Sequence, residues 1–181
     1  MKRILAISGS LRADSTNARL LRAGALLAPA GVAAFVFYDQ QIASVPPFSP
    51  DLDRDDVQPP APVAAFRRLL VEADGILICC PEYAHGVPGA FKNALDWIVS
   101  SGEFTDKPTA LIMASASGAE QARAALVPTL KVMGAALVSE HSMVMRRNHL
   151  DAEGRITDPT MAGIVTEAVT ALLKACNWKS D

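Results

Sequence analysis

Hydrophobic residues fall in short unbroken runs separated by stretches of helical spacing. Arg3–Ser8 is apolar and β-branched and stops at Gly9-Ser10, the pattern of a buried strand. Ser15–Ala28 follows, with Leu20, Leu21, Ala25 and Leu27 on one helical stripe. Val32–Tyr38 reads as a second strand. Asp39–Pro62 is punctuated by Pro46-Pro47, Pro50, Pro59-Pro60 and Pro62, which predicts a long surface loop rather than a linker. Val63–Ala73 predicts a helix with Phe66, Leu69 and Leu70 inward, and Gly75–Cys80 a third strand. Pro88–Ser100 predicts a helix with proline in its first turn. Thr109–Ala114 reads as a fourth strand. Glu120–Met133 is a helix bent at Pro128 and capped by Gly134. Ala136–Val144 is a fifth strand, Arg146–Pro159 polar loop, and Thr160–Trp178 the last helix.

Strands apolar throughout need cover on both faces. That requires a parallel sheet with helices on each side and right-handed connections. The expectation is a doubly wound α/β fold, one domain over all 181 residues. Ligands of such sheets lie beyond the carboxyl ends of the strands, at the switch in strand order. The loops after strands one, three and four are therefore the candidates.

Composition narrows the partners. Lys plus Arg is 17 and Asp plus Glu 19, a net charge of −2, which weighs against a nucleic-acid binder. Half the residues are hydrophobic and 20% charged, which favours a folded core over disorder. The longest uncharged apolar stretch, Ala23–Tyr38, is broken by Pro29 and Gly31 and falls short of the roughly 20 residues of a membrane span. The apolar run after Lys2-Arg3 ends too early for a signal peptide. Cys79, Cys80 and Cys176 lack CxxC spacing, which suggests reduced thiols and a cytoplasmic location.

The loop after strand one, Gly9–Asn17, is neither a dinucleotide G-x-G-x-x-G nor a P-loop. It places Ser10, Ser15, Thr16 and Asn17 around a helix N-terminus, with Arg12 adding charge and no acidic residue in the first turn. An external phosphate fits that set, whereas simple capping would account for Ser15 alone. The loop after strand three, Pro81–Gly89, holds two prolines and two glycines, a fixed backbone on which a flat ligand could lie, or else an ordinary turn with a solvated Glu82. Ser115–Ala119, after strand four, leaves room for a ligand edge. His85, His141 and His149 show no metal-ligand spacing. Cys79-Cys80 reads as core, one side chain to each face. Lys92 and Asp96 are spaced to pair on a helix, and Trp97 reads as core or subunit interface. No acid, base or nucleophile constellation is present, as suits chemistry carried by a cofactor.

Gly9-Ser10-Leu11-Arg12-x-x-Ser15-x-Asn17, followed by Pro81-Glu82-Tyr83-x-x-x-x-Pro88-Gly89-x-x-Lys92-Asn93-Ala94-Leu95-Asp96-Trp97, resembles the NADPH-dependent FMN reductases. The Asp151-x-x-Gly154-x-Ile156-x-Asp158 loop extends the likeness. The resemblance implies a flavodoxin-like three-layer sandwich with sheet order 2-1-3-4-5 and FMN at the switch point. It implies that Ser10, Arg12, Ser15, Thr16 and Asn17 hold the FMN phosphate. Pro81, Glu82, Tyr83 and Ala84 would line the isoalloxazine and Ser115 its far edge, with His85 a candidate on the substrate side. It further implies NADPH or NADH as donor, a quinone, free flavin or similar small acceptor, and a homodimer or homotetramer. An FMN-binding electron carrier without its own NAD(P)H site is the alternative, and a scaffold that has lost the cofactor a third. Two departures stand out: Ala84 and Gly86 where many members carry Asn and Ser, and Ala119-Glu120-Gln121 where members often have paired glycines.

Overall fold

Five strands, β1 (Lys2–Ser8), β2 (Ala33–Tyr38), β3 (Gly75–Cys80), β4 (Pro108–Ser115) and β5 (Ala136–Val144), pair in parallel in the order β2-β1-β3-β4-β5. The coordinates are a computed structural model that describes residues 1–177, the side chain of Arg147 excepted. Helices α1 (Thr16–Leu27), α2 (Ala61–Glu72), α3 (Gly89–Asp96), α4 (Glu120–Val132) and α5 (Pro159–Ala175) alternate with the strands. Strand side chains alternate between two cores. Leu5, Ile7, Ile76, Ile78 and Cys80 pack with Phe66, Phe91 and Leu126 from α2, α3 and α4. Ile4, Ala6, Leu77 and Cys79 pack with Leu20, Val165 and Leu172 from α1 and α5. Each fully buried leucine, isoleucine or phenylalanine contributes about 1.5–3 kcal/mol, so both faces of the sheet are independently sealed. The expected fold and strand order are the observed ones, and the adjacent cysteines do face opposite ways.

Boundaries moved where local chemistry outweighs periodicity. α2 begins at Ala61, two residues earlier than expected, because Pro62 suits a first turn and Pro60 occupies the cap. Pro88 is the cap of α3 rather than its first turn, and α3 stops at Asp96 instead of Ser100. Beyond it Trp97 is buried completely in the core, its Nε1–H donating to the Pro46 carbonyl at 2.8 Å. Lys92 and Asp96 pair as expected, at 2.5 Å. α4 ends in a Schellman turn: Gly134 N–H bonds to Lys131 O and Ala135 N–H to Leu130 O, with Gly134 at φ 78°. α5 starts at Pro159, capped by Asp158, and ends at Ala175 with Cys176 as its cap, short of the expected end at Trp178, which itself lies outside the described residues.

The proline-rich stretch 39–60 is irregular, as expected, but it is fastened down. It carries two short 3-10 turns, Gln40–Ser44 and Pro50–Leu52. Asn93 accepts from Phe48 N–H at 2.8 Å and donates to the Pro46 carbonyl at 2.9 Å. Further along, Arg67 lies between two nearly buried carboxylates, 2.6 Å from Asp53 and 3.8 Å from Glu103, and also donates to the Trp97 carbonyl.

Candidate functional site

Because β1 lies inside the sheet, the chain leaves it toward β2 on one side and later returns to β3 on the other. The switch therefore lies between the carboxyl ends of β1 and β3. A cleft of about 580 Å³ opens there, within the usual range for small-molecule sites. Of the residues named from sequence it is lined by Ser10, Arg12, Ser15, Thr16, Asn17, Pro81, Glu82, Tyr83 and Ser115.

Gly9 turns the chain out of β1. A Cβ there would stand 2.8 Å from Cys80 Sγ and 3.3 Å from Phe91 Cδ1, so only glycine lets the loop leave the sheet this close to β3. Ser15 caps α1, its hydroxyl accepting from Ala18 N–H at 3.3 Å. α1 has no acidic residue in its first turn, which leaves its positive end facing the cleft. Asn17 is buried and its amide is committed inward. It donates to the Ala114 carbonyl at 3.2 Å and accepts from the Cys79 thiol at 3.0 Å. Burial pushes the Cys79 thiol well up, and the neighbouring Cys80 adds to the effect, so Cys79 stays a proton donor. Asn17 thus ties the start of α1 to β3 and β4. Ser10, also buried, meets the Tyr83 hydroxyl at 2.9 Å and joins the first loop to the third.

The loop after β3 is a tight hairpin. Tyr83 and Gly86 exchange both backbone hydrogen bonds, at 3.0 and 2.9 Å, around Ala84 and His85. Both central residues are left-handed, at φ 49° and 61°, a conformation that favours asparagine or glycine over alanine. These two form the turn tip and are not among the residues lining the cleft. Glu82 is not the solvated carboxylate of an ordinary turn. Its side chain is 4% exposed, and Oε2 accepts from Ala122 N–H, in the first turn of α4, at 3.0 Å. His85 Nδ1, on a largely exposed ring, lies 3.6 Å from Glu82 Oε1. The carboxylate does the work of an N-cap residue that α4 lacks, since Ala119 at that position has no side-chain acceptor and is itself left-handed, at φ 65°. Both departures from the family motif, at 84 and 119, therefore put alanine where the backbone is left-handed.

Sequence reasoning missed Ala114, Met145 and Arg146, which also line the cleft, whereas Ala116 and Ser117 belong to the loop after β4 that it singled out. Ser117 bonds Ser115 at 3.0 Å, and Met145 N–H donates to the Ser115 carbonyl at 2.9 Å, which carries the end of β5 to the rim. The carboxyl-end rule, applied to strand five as well, would have found Arg146. Among the described residues no cluster of three His, Cys, Asp or Glu could hold a metal ion, and no helix is long and apolar enough to cross a membrane.

Comparison with known proteins bears on this site. The chain is 35% identical over 161 residues to a 2-hydroxy-1,4-benzoquinone reductase from a Burkholderia species, covering 85% of both chains. It is 31% identical over 176 residues to an NAD(P)H-dependent FMN reductase of Pseudomonas aeruginosa, covering 94% of this chain and 92% of that one. Among solved structures it is similar to FerB, a flavoenzyme NAD(P)H:acceptor oxidoreductase from Paracoccus denitrificans, with TM-score 0.82, 28% identity and 98% of each chain covered. Residues 2–149 match the NADPH-dependent FMN reductase family. With its strand order, its cleft at the switch point and this match over most of its length, the chain belongs to the NADPH-dependent FMN reductases.

Proposed function

We propose that this chain is an FMN-dependent oxidoreductase that takes electrons from NAD(P)H and passes them to a quinone, a free flavin or a similar small acceptor. The observation that carries the reading is the convergence of the β1, β3 and β4 loops on one cleft at the strand-order switch. The residues present fit the cofactor. Ser10, Arg12, Thr16 and the open N-terminus of α1 suit a phosphate: hydroxyl donors, one guanidinium and free backbone N–H groups. Ser15 contributes by shaping the turn and Asn17 by anchoring it. Pro81, Glu82 and Tyr83 offer fixed backbone, and the small residues Ala114–Ser117 leave space for a flat ring. Ala84 serves as part of the turn that sets this backbone, and His85 at its exposed tip is the candidate contact for a second substrate.

FMN, when bound, supplies the electron chemistry, accepting hydride equivalents from the nicotinamide and returning electrons to the acceptor. The protein's part is to hold and orient. Arg12 offsets phosphate charge, Tyr83 and Ser10 lock two walls together, and Glu82 holds the third loop against α4. The 181 residues work as one domain in the cytoplasm, as a homodimer or homotetramer, in keeping with the family resemblance.

The test is spectroscopic. The purified protein is given excess FMN, repurified, and mixed with NADPH without oxygen. Retained flavin that bleaches supports the oxidoreductase; retained flavin that does not bleach indicates an electron carrier; no retained flavin defeats both. Arg12→Ala should weaken FMN binding by about 1.5–3 kcal/mol, the contribution of a charge-assisted contact.

A further inference from the structure

We propose that Arg146 is a second phosphate-holding cation of the cleft, serving a phosphomonoester that Arg12 alone leaves undercompensated; this rests on the flavin reading above. The two arginines line the cleft from different parts of the fold, Arg12 from the loop after β1 and Arg146 from just beyond the end of β5. Three contacts bring those parts together. Asn17 Nδ2–H donates to the Ala114 carbonyl, which sets the first turn of α1 over the carboxyl end of β4. Arg19 Nη2–H donates to the Asp151 carbonyl at 2.7 Å, which ties α1 to the loop that follows β5. Met145 N–H donates to the Ser115 carbonyl, which holds the residue before Arg146 at the same rim.

Charge makes the case sharper. The chain as a whole carries −2, yet the charged residues lining the cleft are Arg12, Arg146 and Glu82. Glu82 turns its carboxylate to the N-terminus of α4, so the free charge presented by the lining is positive. A positive cleft in an acidic protein focuses an anion. Arg146 is exposed, and among the described residues it makes no ion pair; Arg155, farther along the same loop, is paired with both Asp151 and Glu153. A phosphomonoester carries about −1.5 to −2 at neutral pH. Arg12 supplies +1 and the α1 N-terminus about +0.5, which leaves up to about half a negative charge for a second cation.

Two phosphomonoesters present this chemistry: the 5′-phosphate of FMN and the 2′-phosphate that distinguishes NADPH from NADH. The experiment uses Arg146→Gln and Arg146→Lys in the full-length chain. Equilibrium binding of FMN and of riboflavin, which lacks the phosphate, is read by flavin fluorescence; KM is then measured for NADPH and NADH. Service to FMN raises its Kd about tenfold or more in the Gln variant and leaves riboflavin unchanged. Service to the donor raises KM for NADPH by a similar factor, leaving NADH and FMN unchanged. Lys recovers part of either loss because it keeps the charge without the planar fork. A Gln variant that handles all four ligands as wild type does overturns the assignment. So does one that weakens riboflavin as much as FMN, since the arginine would then shape the cleft rather than hold phosphate. A wild-type protein that binds neither flavin overturns the cleft reading and this assignment together.

Discussion

Gly9→Ala tests whether steric room, rather than conformational freedom, places the first loop. The added Cβ would lie 2.8 Å from Cys80 Sγ, 3.3 Å from Cys80 Cβ and 3.3 Å from Phe91 Cδ1. Cys80 and Phe91 are both fully buried, so neither can swing into solvent. Overpacking a filled core costs about 1–3 kcal/mol. Alanine recovers about 0.4–1 kcal/mol by restricting the unfolded chain. With tight contacts on two sides the clash should fall in the upper part of its range, for a net loss of about 1–2 kcal/mol. In a chain of this size each kcal/mol shifts Tm by roughly 2–4 °C. Thermal melts of Gly9→Ala, Cys80→Ala and the double variant give the coupling. Removing Sγ relieves the shortest contact and leaves the two at 3.3 Å, so the double variant should recover about 1 kcal/mol relative to the sum of the singles, within the span seen for touching residues. A Gly9→Ala protein that melts at or above wild type, or singles that simply add, would refute the claim that β3 crowding fixes the loop.

Arg67→Met should cost about 1–3 kcal/mol in urea unfolding, because it removes the cation beside the nearly buried carboxylates of Asp53 and Glu103 and leaves them to the Ser100 and Ser101 hydroxyls. Asp74 is held below the ordinary carboxylate range by the Arg3 backbone N–H, which outweighs burial, with Lys2 assisting. A depressed native value stabilises the fold above the unfolded value of about 4 and is lost as pH falls through the native one; Asp74→Asn should therefore flatten the acid side of a Tm-against-pH curve, and an unchanged slope would count against it. Ala84→Asn should raise Tm, gaining about 0.5–1 kcal/mol by placing an asparagine in the left-handed turn.

The parallel sheet was readable because strands buried on both faces are apolar throughout, as Gly75–Cys80 is, whereas the strand order came from the family resemblance. The cleft followed from the carboxyl-end rule and from the density of small polar residues in Gly9–Asn17. What sequence could not tell was where each side chain points. Nothing in the spacing says that Asn17 turns inward to Cys79 and Ala114, or that Glu82 reaches a backbone N–H forty positions later. Those contacts depend on α1 and α4 being placed by the whole sheet. Trp97 illustrates the opposite case: periodicity extended α3 through it, but burying the indole against Pro46 and Phe48 outweighed another helical turn.

The first strand in the chain is an interior strand of the sheet, flanked by β2 and β3. This has a consequence for how the protein is made. As the chain leaves the ribosome, β1 and β2 can pair early, but the other edge of β1 stays open until residues 75–80 have emerged. Completion of the sheet thus waits on non-local pairing, the slow kind of folding step, with an apolar strand edge exposed in the interval. Nascent chains arrested before Cys80 should engage chaperones and resist proteolysis poorly, whereas those arrested after Ser115 can already hold β1 between both neighbours.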